Sequence, residues 1–249
     1  LSIRRQRQMC IRDRTNSGMQ NKGFQNTFIG PTSGETNTYG FDNSFLGFSS
    51  GKNNTLGYYN TFTGSNSGLN NTTGSGNTFS GYNAGQSNTE GFSNTFTGKE
   101  SGFENTNGNR NTFNGNQAGY HNKTSLLNTY FGLQAGYGCT SPTPCTSNSF
   151  TITAGSANTF TGAQSGYNIT SGTYNTFSGY RSGFRTGSGK LNTFIGNQSG
   201  TANMTGESNV ALGSLSGQGL TTGNKNTFLG TQTIVLPPAQ VDNSTAIGY

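Results

Sequence analysis

The side chains that could do chemistry are few and poorly placed for it. His121 is the only histidine of the 249-residue chain. A nucleophile–base triad or a histidine metal site needs partners that its neighbours Tyr120 and Asn122 do not supply. The carboxylates Glu35, Glu90, Glu100 and Glu104 are scattered and form no evident pair for acid–base work. Gly- and Asp-rich calcium-binding nonapeptides are absent. The "SGKL" around Lys190 lacks the strand–loop–helix setting of a phosphate loop. No catalytic residue, metal site or cofactor is therefore expected, and the protein is not expected to be an enzyme. Cys139 and Cys145, in "GCTSPTPCTS", are a possible disulfide, expected in an oxidising compartment.

The elements that carry these residues follow one rule. "NTF" or a close variant begins at Asn26, Asn43, Asn60, Asn77, Asn94, Asn111 and Asn128, every step being 17 residues. After one step of 30 the series resumes at Asn158, Asn175, Asn192, Asn209, Asn226 and Asn243, again 17 apart. A fixed period across nearly the whole sequence defines a repeat architecture. The long step is one repeat with a thirteen-residue insertion. This places a loop insertion near 139–152, stiffened by Pro142 and Pro144. Projecting loops on rigid scaffolds often bind partners; a neutral decoration is the equal alternative.

Composition agrees. Hydrophobic residues make up 28% and charged residues 9%, with 40 Gly and no Trp. Disordered chains of low hydrophobicity usually lack aromatics, yet this one places 18 Phe and 11 Tyr in register. The pattern is that of a narrow, regular core. Residues 1–14, "LSIRRQRQMCIRDR", do not fit the repeat. They could be a basic arm for nucleic acid or membrane, but they resemble translated sequencing-adapter sequence and are set apart from the fold, as adapter-derived or disordered. They hold five of the fourteen basic residues and one of the eight acidic ones, so the formal charge of +6 falls to +2 without them. The case for a nucleic-acid partner through phosphate neutralisation falls with it. No apolar run is long enough to span a membrane, and no membrane insertion is expected.

Counting the Asn as zero, Thr or Ser stands at +1, Phe at +2, a variable residue at +3 and Gly at +4. A small residue and Gly follow at +7 and +8. Short β-prone runs punctuated by Gly predict strands and tight turns. The fold expected is all-β: residues 15–249 form a parallel β-solenoid of about thirteen coils with two or three short strands each, about 4.8 Å apart. Side chains alternate along a strand. Phe28, Phe45, Phe62, Phe79, Phe96, Phe113, Tyr130, Phe160, Phe177, Phe194 and Phe228 are assigned to an internal aromatic ladder, each contributing about 1.5–3 kcal/mol. Small pairs such as Ala84–Gly85, Ala118–Gly119 and Ser165–Gly166 leave room for the rings. The Asn at zero is expected to satisfy corner backbone groups and to form a ladder.

The +1/+3 face is the informative one, because no charge falls at offsets 0 to +4 in any coil. It carries Thr27, Ile29, Leu46, Thr61, Thr63, Thr78, Thr95, Thr97, Thr159, Thr161, Thr193, Ile195, Val210, Leu212 and Leu229. Two uses compete. Thr-x-Thr rows on a flat solenoid face could bind ice. A stripe whose +3 residues are half large and apolar, with Phe131 protruding, is more naturally a contact between subunits. A further row of aromatics at +9 (Phe103, Tyr120, Tyr137, Tyr167 and Phe184) could bind sugar or protein, though partial burial at a turn accounts for it more simply.

"SNVALG" (Ser208 to Gly213) and "NSTAIGY" (Asn243 to Tyr249) resemble the head repeats of trimeric autotransporter adhesins and of related tail-fibre-like surface proteins. Aligned on the Gly, Ala211 and Ala246 take the Phe slot. The resemblance implies a left-handed β-roll, a homotrimer associating side by side, a host or matrix protein or glycan ligand, and an extracellular, cell-surface location. It is specific in these two coils and weaker elsewhere, where the coil is longer and Phe replaces the small residue. No stalk or membrane anchor follows, so the sequence is expected to be a fragment.

Overall fold

The computed structural model describes residues 15–138, 155–233 and 240–248. Residues 1–14 and most of the insertion, including Cys139, Cys145 and the disulfide expected between them, lie outside the described residues. The protein is an all-β parallel solenoid. Thirteen three-residue strands lie in one sheet: β1 (Thr27–Ile29), β2 (Ser44–Leu46), β3 (Thr61–Thr63), β4 (Thr78–Ser80), β5 (Thr95–Thr97), β6 (Thr112–Asn114), β7 (Thr129–Phe131), β8 (Thr159–Thr161), β9 (Thr176–Ser178), β10 (Thr193–Ile195), β11 (Val210–Leu212), β12 (Thr227–Leu229) and β13 (Thr245–Ile247). Each strand pairs in parallel with the next in sequence, so their spatial order is their sequence order. The long step changes nothing in the sheet: Tyr130 of β7 sits beside Phe160 of β8.

The described part of each coil holds one strand rather than two or three. The reason is backbone conformation. After the strand, Gly at +4 has a φ such as 139° at Gly81, and Gly at +8 one of 57° at Gly85. Non-glycine residues at +6 and −1 are left-handed as well, for example Asn83 at φ 56° and Tyr59 at φ 57°. Extended backbone cannot persist through alternating left-handed residues. These segments still bond coil to coil, as Gly34 N–H to Ser50 C=O at 3.0 Å and Thr55 N–H to Thr72 C=O at 2.9 Å.

Every residue assigned to the aromatic ladder is buried, from Phe28 at 0% exposure to Phe228 at 2%. Neighbouring rings are stacked with centroids 4.7 Å apart for Phe45 and Phe62 and 4.8 Å for Tyr130 and Phe160. That spacing equals the strand separation, so sheet pairing and ring stacking reinforce one another. The facing wall is slim of necessity: a Cβ placed on Gly85 would lie 2.5 Å from the Phe79 ring. Where the residue before this Gly is Ser, its hydroxyl donates to the strand of the next coil, as Ser67 Oγ to Phe79 C=O at 3.1 Å. Ala211 takes the ring position in β11 and is also fully buried; Leu220 joins the core in that coil.

Two Asn ladders line the lumen. At offset zero, Asn77 N–H donates to Asn60 Oδ1 at 2.9 Å, and Asn77 Nδ2 to Gly91 C=O at 2.7 Å. The ladder crosses the insertion, with Asn158 N–H donating to Asn128 Oδ1 at 2.9 Å. A second ladder at +11 runs through Asn37, Asn54, Asn71, Asn88 and Asn105, each Nδ2 donating to the preceding Oδ1, as Asn71 to Asn54 at 2.7 Å. Both pair amides that would otherwise be buried without partners; the second ladder stops at Asn105, whose buried Oδ1 is left without a partner among the described residues. The last coil corrects the spacing. Ser244, not Asn243, occupies the Asn slot and donates its N–H to Asn226 Oδ1 at 2.9 Å. Asn243 becomes the left-handed residue before it, at φ 52°. Pairing of Ala246 with Phe228 fixes this register.

Candidate functional site

The sheet presents the +1 and +3 side chains outward, as alternation requires. Thr61, Thr63, Thr78, Thr95, Thr159 and Thr161 are exposed; Thr27, Ile29, Thr97, Thr193, Val210, Leu212 and Leu229 are half-buried by their neighbours. Large apolar side chains stand out at 48% exposure for Leu46, 42% for Phe131, 44% for Ile195 and 76% for Ile247. No charged residue lies in any of the strands. The hydroxyls of Thr61, Thr63, Thr78, Thr95, Thr97, Thr159 and Thr161 make no hydrogen bond to the protein among the described residues, in contrast to Thr55 or Thr72, whose Oγ1 atoms cap carbonyls of the next coil. The face has an order along the axis. Apolar +3 residues occupy β1, β2 and β10 to β13, while β3 to β5 and β8 to β9 carry hydroxyls, with Asn114 and Phe131 between them.

The aromatic row at +9 is a second ladder, half-buried at a turn. Phe103, Tyr120, Tyr137, Tyr167 and Phe184 stack with centroids 4.9–5.3 Å apart. Their ring faces cover one another, and Arg181 lies 5.1 Å from the Phe184 centroid. Sugar stacking needs a free ring face, and the rings inside this row, stacked on both sides, offer only edges and phenol groups. Burial, with Tyr167 and Tyr120 alongside, pushes the Tyr137 phenol up to about 12. Beside it runs a side-chain ladder at +6: Gln117 donates to Glu100 at 2.8 Å, Gln134 to Gln117 at 2.9 Å, Gln164 to Gln134 at 3.2 Å, and Arg181 Nε to Gln164 at 2.8 Å. It begins on a carboxylate and ends on a guanidinium, so every polar group is complemented.

His121 has a partner that its neighbours in sequence do not reveal. Its Nδ1 lies 3.1 Å from Glu104 Oε2, and Lys123 Nζ is 3.6 Å from the same oxygen. The His121 hydrogen bond is the main cause holding the Glu104 carboxyl below its ordinary range, Coulombic attraction of His121 and Lys123 adding to it against the opposing effect of burial. Among the described residues no nucleophile joins the pair; the His121 ring is held edge-on between Tyr120 and Tyr137. The signal that finds it is equal offset: Glu104 and His121 both stand at +10 of consecutive coils. Glu35 and Lys52, both at +9, pair at 3.4 Å by the same rule. A polar groove near the last coils is lined by Glu207, Asn224 and Asp242 among others. Its carboxylates are engaged, Asp242 accepting from Asn224 N–H at 2.6 Å and Glu207 lying 3.9 Å from Lys190. Among the described residues no cluster of three His, Cys, Asp or Glu could hold a metal, and no helix is long and apolar enough to cross a membrane.

Fold and face together define a β-solenoid repeat protein with an uncharged, regular sheet face. No known protein family, curated protein or solved structure matches the sequence.

Proposed function

We propose that the protein is a non-enzymatic fibre or adhesin head module, a rigid extracellular scaffold whose strand face packs against further copies of itself, as a homotrimer. A single observation carries the reading: the exposed face of the sheet is free of charge over all thirteen strands and displays Leu46, Phe131, Ile195 and Ile247 in the open. Solvated strand edges and faces ordinarily collect charge, which protects them from association. A stripe without it, set with large apolar side chains, is the pattern of a buried contact. The ligand of such a head is a host or matrix protein or glycan, bound on surfaces other than the sheet.

The free hydroxyls of β3 to β5 and β8 to β9 favour a second reading, an ice-binding face built on Thr61/Thr63, Thr95/Thr97 and Thr159/Thr161. The two differ in what the isolated protein does. A self-associating head gives a trimer in sedimentation equilibrium and no thermal hysteresis. An ice-binding solenoid gives a stable monomer with thermal hysteresis, and that result would sink the adhesin reading.

A further inference from the structure

The sequence contains two Asn–Gly dipeptides, Asn107–Gly108 and Asn114–Gly115. Asn–Gly can modify itself. The Gly backbone nitrogen, once deprotonated, attacks the Asn Cγ and a new C–N bond forms there. The bond from Cγ to the amide nitrogen Nδ2 breaks, and ammonia leaves with the proton. Water then opens the succinimide ring at either carbonyl to give aspartate or isoaspartate. No oxidant or cofactor is needed. Gly favours the step because it adds no Cβ beside the attacking atom.

Both asparagines are exposed, but their surroundings differ at the two reacting atoms. Gly115 N–H is held in the sheet, donating to Thr97 C=O at 2.8 Å. Gly108 N–H makes no hydrogen bond among the described residues, although the equivalent Gly57, Gly74 and Gly91 N–H groups each donate to the next coil at 3.1–3.2 Å. That bond is missing where the following coil has Ser125 in place of Gly; Lys123 C=O accepts from Thr106 and Asn107 N–H but not from Gly108. The electrophile differs too. Thr89 Oγ1 donates to Asn107 Oδ1 at 3.0 Å, while Glu90 Oε2 lies 3.5 Å from Asn107 Nδ2. A hydroxyl on the amide oxygen stabilises the charge that develops there during attack. Asn114 Oδ1 has no such donor among the described residues.

We infer that Asn107–Gly108 is a self-modification site, converting to aspartate and isoaspartate in the folded protein with Thr89 as a positioning residue, while Asn114–Gly115 is protected by the sheet. Isoaspartate lengthens the backbone by one carbon at a corner where every coil must keep step. Either product also sets a carboxylate beside Glu90. The change therefore loosens the stack locally as the protein ages.

The test is peptide mapping by mass spectrometry of the full-length protein, kept folded at mildly alkaline pH and sampled over weeks. The amide-to-acid mass gain is expected at Asn107 about tenfold faster than at Asn114, the ratio set by one ladder hydrogen bond that must open. In urea the two rates converge. Thr89→Val slows Asn107 several-fold in the folded protein and leaves the urea rates unchanged. Equal folded rates, or faster change at Asn114, overturn the site; an unaltered Asn107 rate in Thr89→Val overturns the assistance by Thr89.

Discussion

Phe113 illustrates how much one residue carries. It is fully buried between Phe96, 4.8 Å away, and Tyr130, 4.7 Å away. Phe113→Ser removes both stacks and leaves a cavity, and is expected to cost about 3–5 kcal/mol; an unchanged urea or thermal midpoint would contradict the inward assignment. Glycines make a sharper comparison. Gly85 and Gly76 are both left-handed, at φ 57° and 67°. A Cβ on Gly85 would strike the Phe79 ring at 2.5 Å, whereas on Gly76 the nearest atom is 3.7 Å away. Other coils place Tyr, Leu, Arg or Lys at the Gly76 position with the same sign of φ. Gly76→Ala should therefore cost about 1 kcal/mol. Gly85→Ala should cost about 2–4 kcal/mol, because overpacking is added to backbone strain. Equal losses of melting stability would mean that the ring does not limit the wall.

At the scale of one element, the strand is legible in the sequence and the rest of the coil less so. Three residues with a Phe between two hydroxyls, repeated at one spacing, determine both the inward ring and the outward face, because alternation allows no other reading. The Asn slot at zero is equally plain. The +11 Asn ladder escapes notice although Asn37, Asn54, Asn71, Asn88 and Asn105 keep the same spacing; it lies in the half of the coil where wording varies. The left-handed residues at −1 leave almost no trace, since Gln25, Tyr59, Leu127 and Lys225 share a conformation and no chemistry. The last coil misleads for a related reason: Asn243 mimics the repeat, but strand pairing of Ala246 and Ile247 overrides it. The +9 aromatic ladder makes a prediction about pH. Its Tyr137 has a folded pKa of about 12, above the ordinary 10.0 of tyrosine. A raised folded value means the ladder's contribution is complete below about pH 10 and is lost as pH rises through about 12. Ultraviolet titration of phenolate should show a late fraction that shrinks in Tyr137→Phe and coincides with alkaline loosening. Titration complete within the ordinary tyrosine range would rule this out.

Over the whole molecule, twelve parallel pairings and an uninterrupted Asn ladder make a rod in which each coil touches only its neighbours, the insertion notwithstanding. Side-chain pairs obey the same translation, so equal offset, not nearness in sequence, decides which groups meet; Glu104 with His121 is the case that reading along the sequence does not find. Along the rod the sheet forms a continuous face with no charged residue in any strand. If it is a contact between copies, charge placed there must act on association and not on folding. Leu46→Lys with Ile195→Lys, both at exposed positions, tests this. Sedimentation equilibrium of the full-length protein and of this double variant is the most direct measurement. The proposal predicts a trimer for the parent protein and a folded monomer for the variant, with the melting of each coil's core retained. A parent protein that is monomeric at all concentrations, or a variant that remains trimeric, would contradict it.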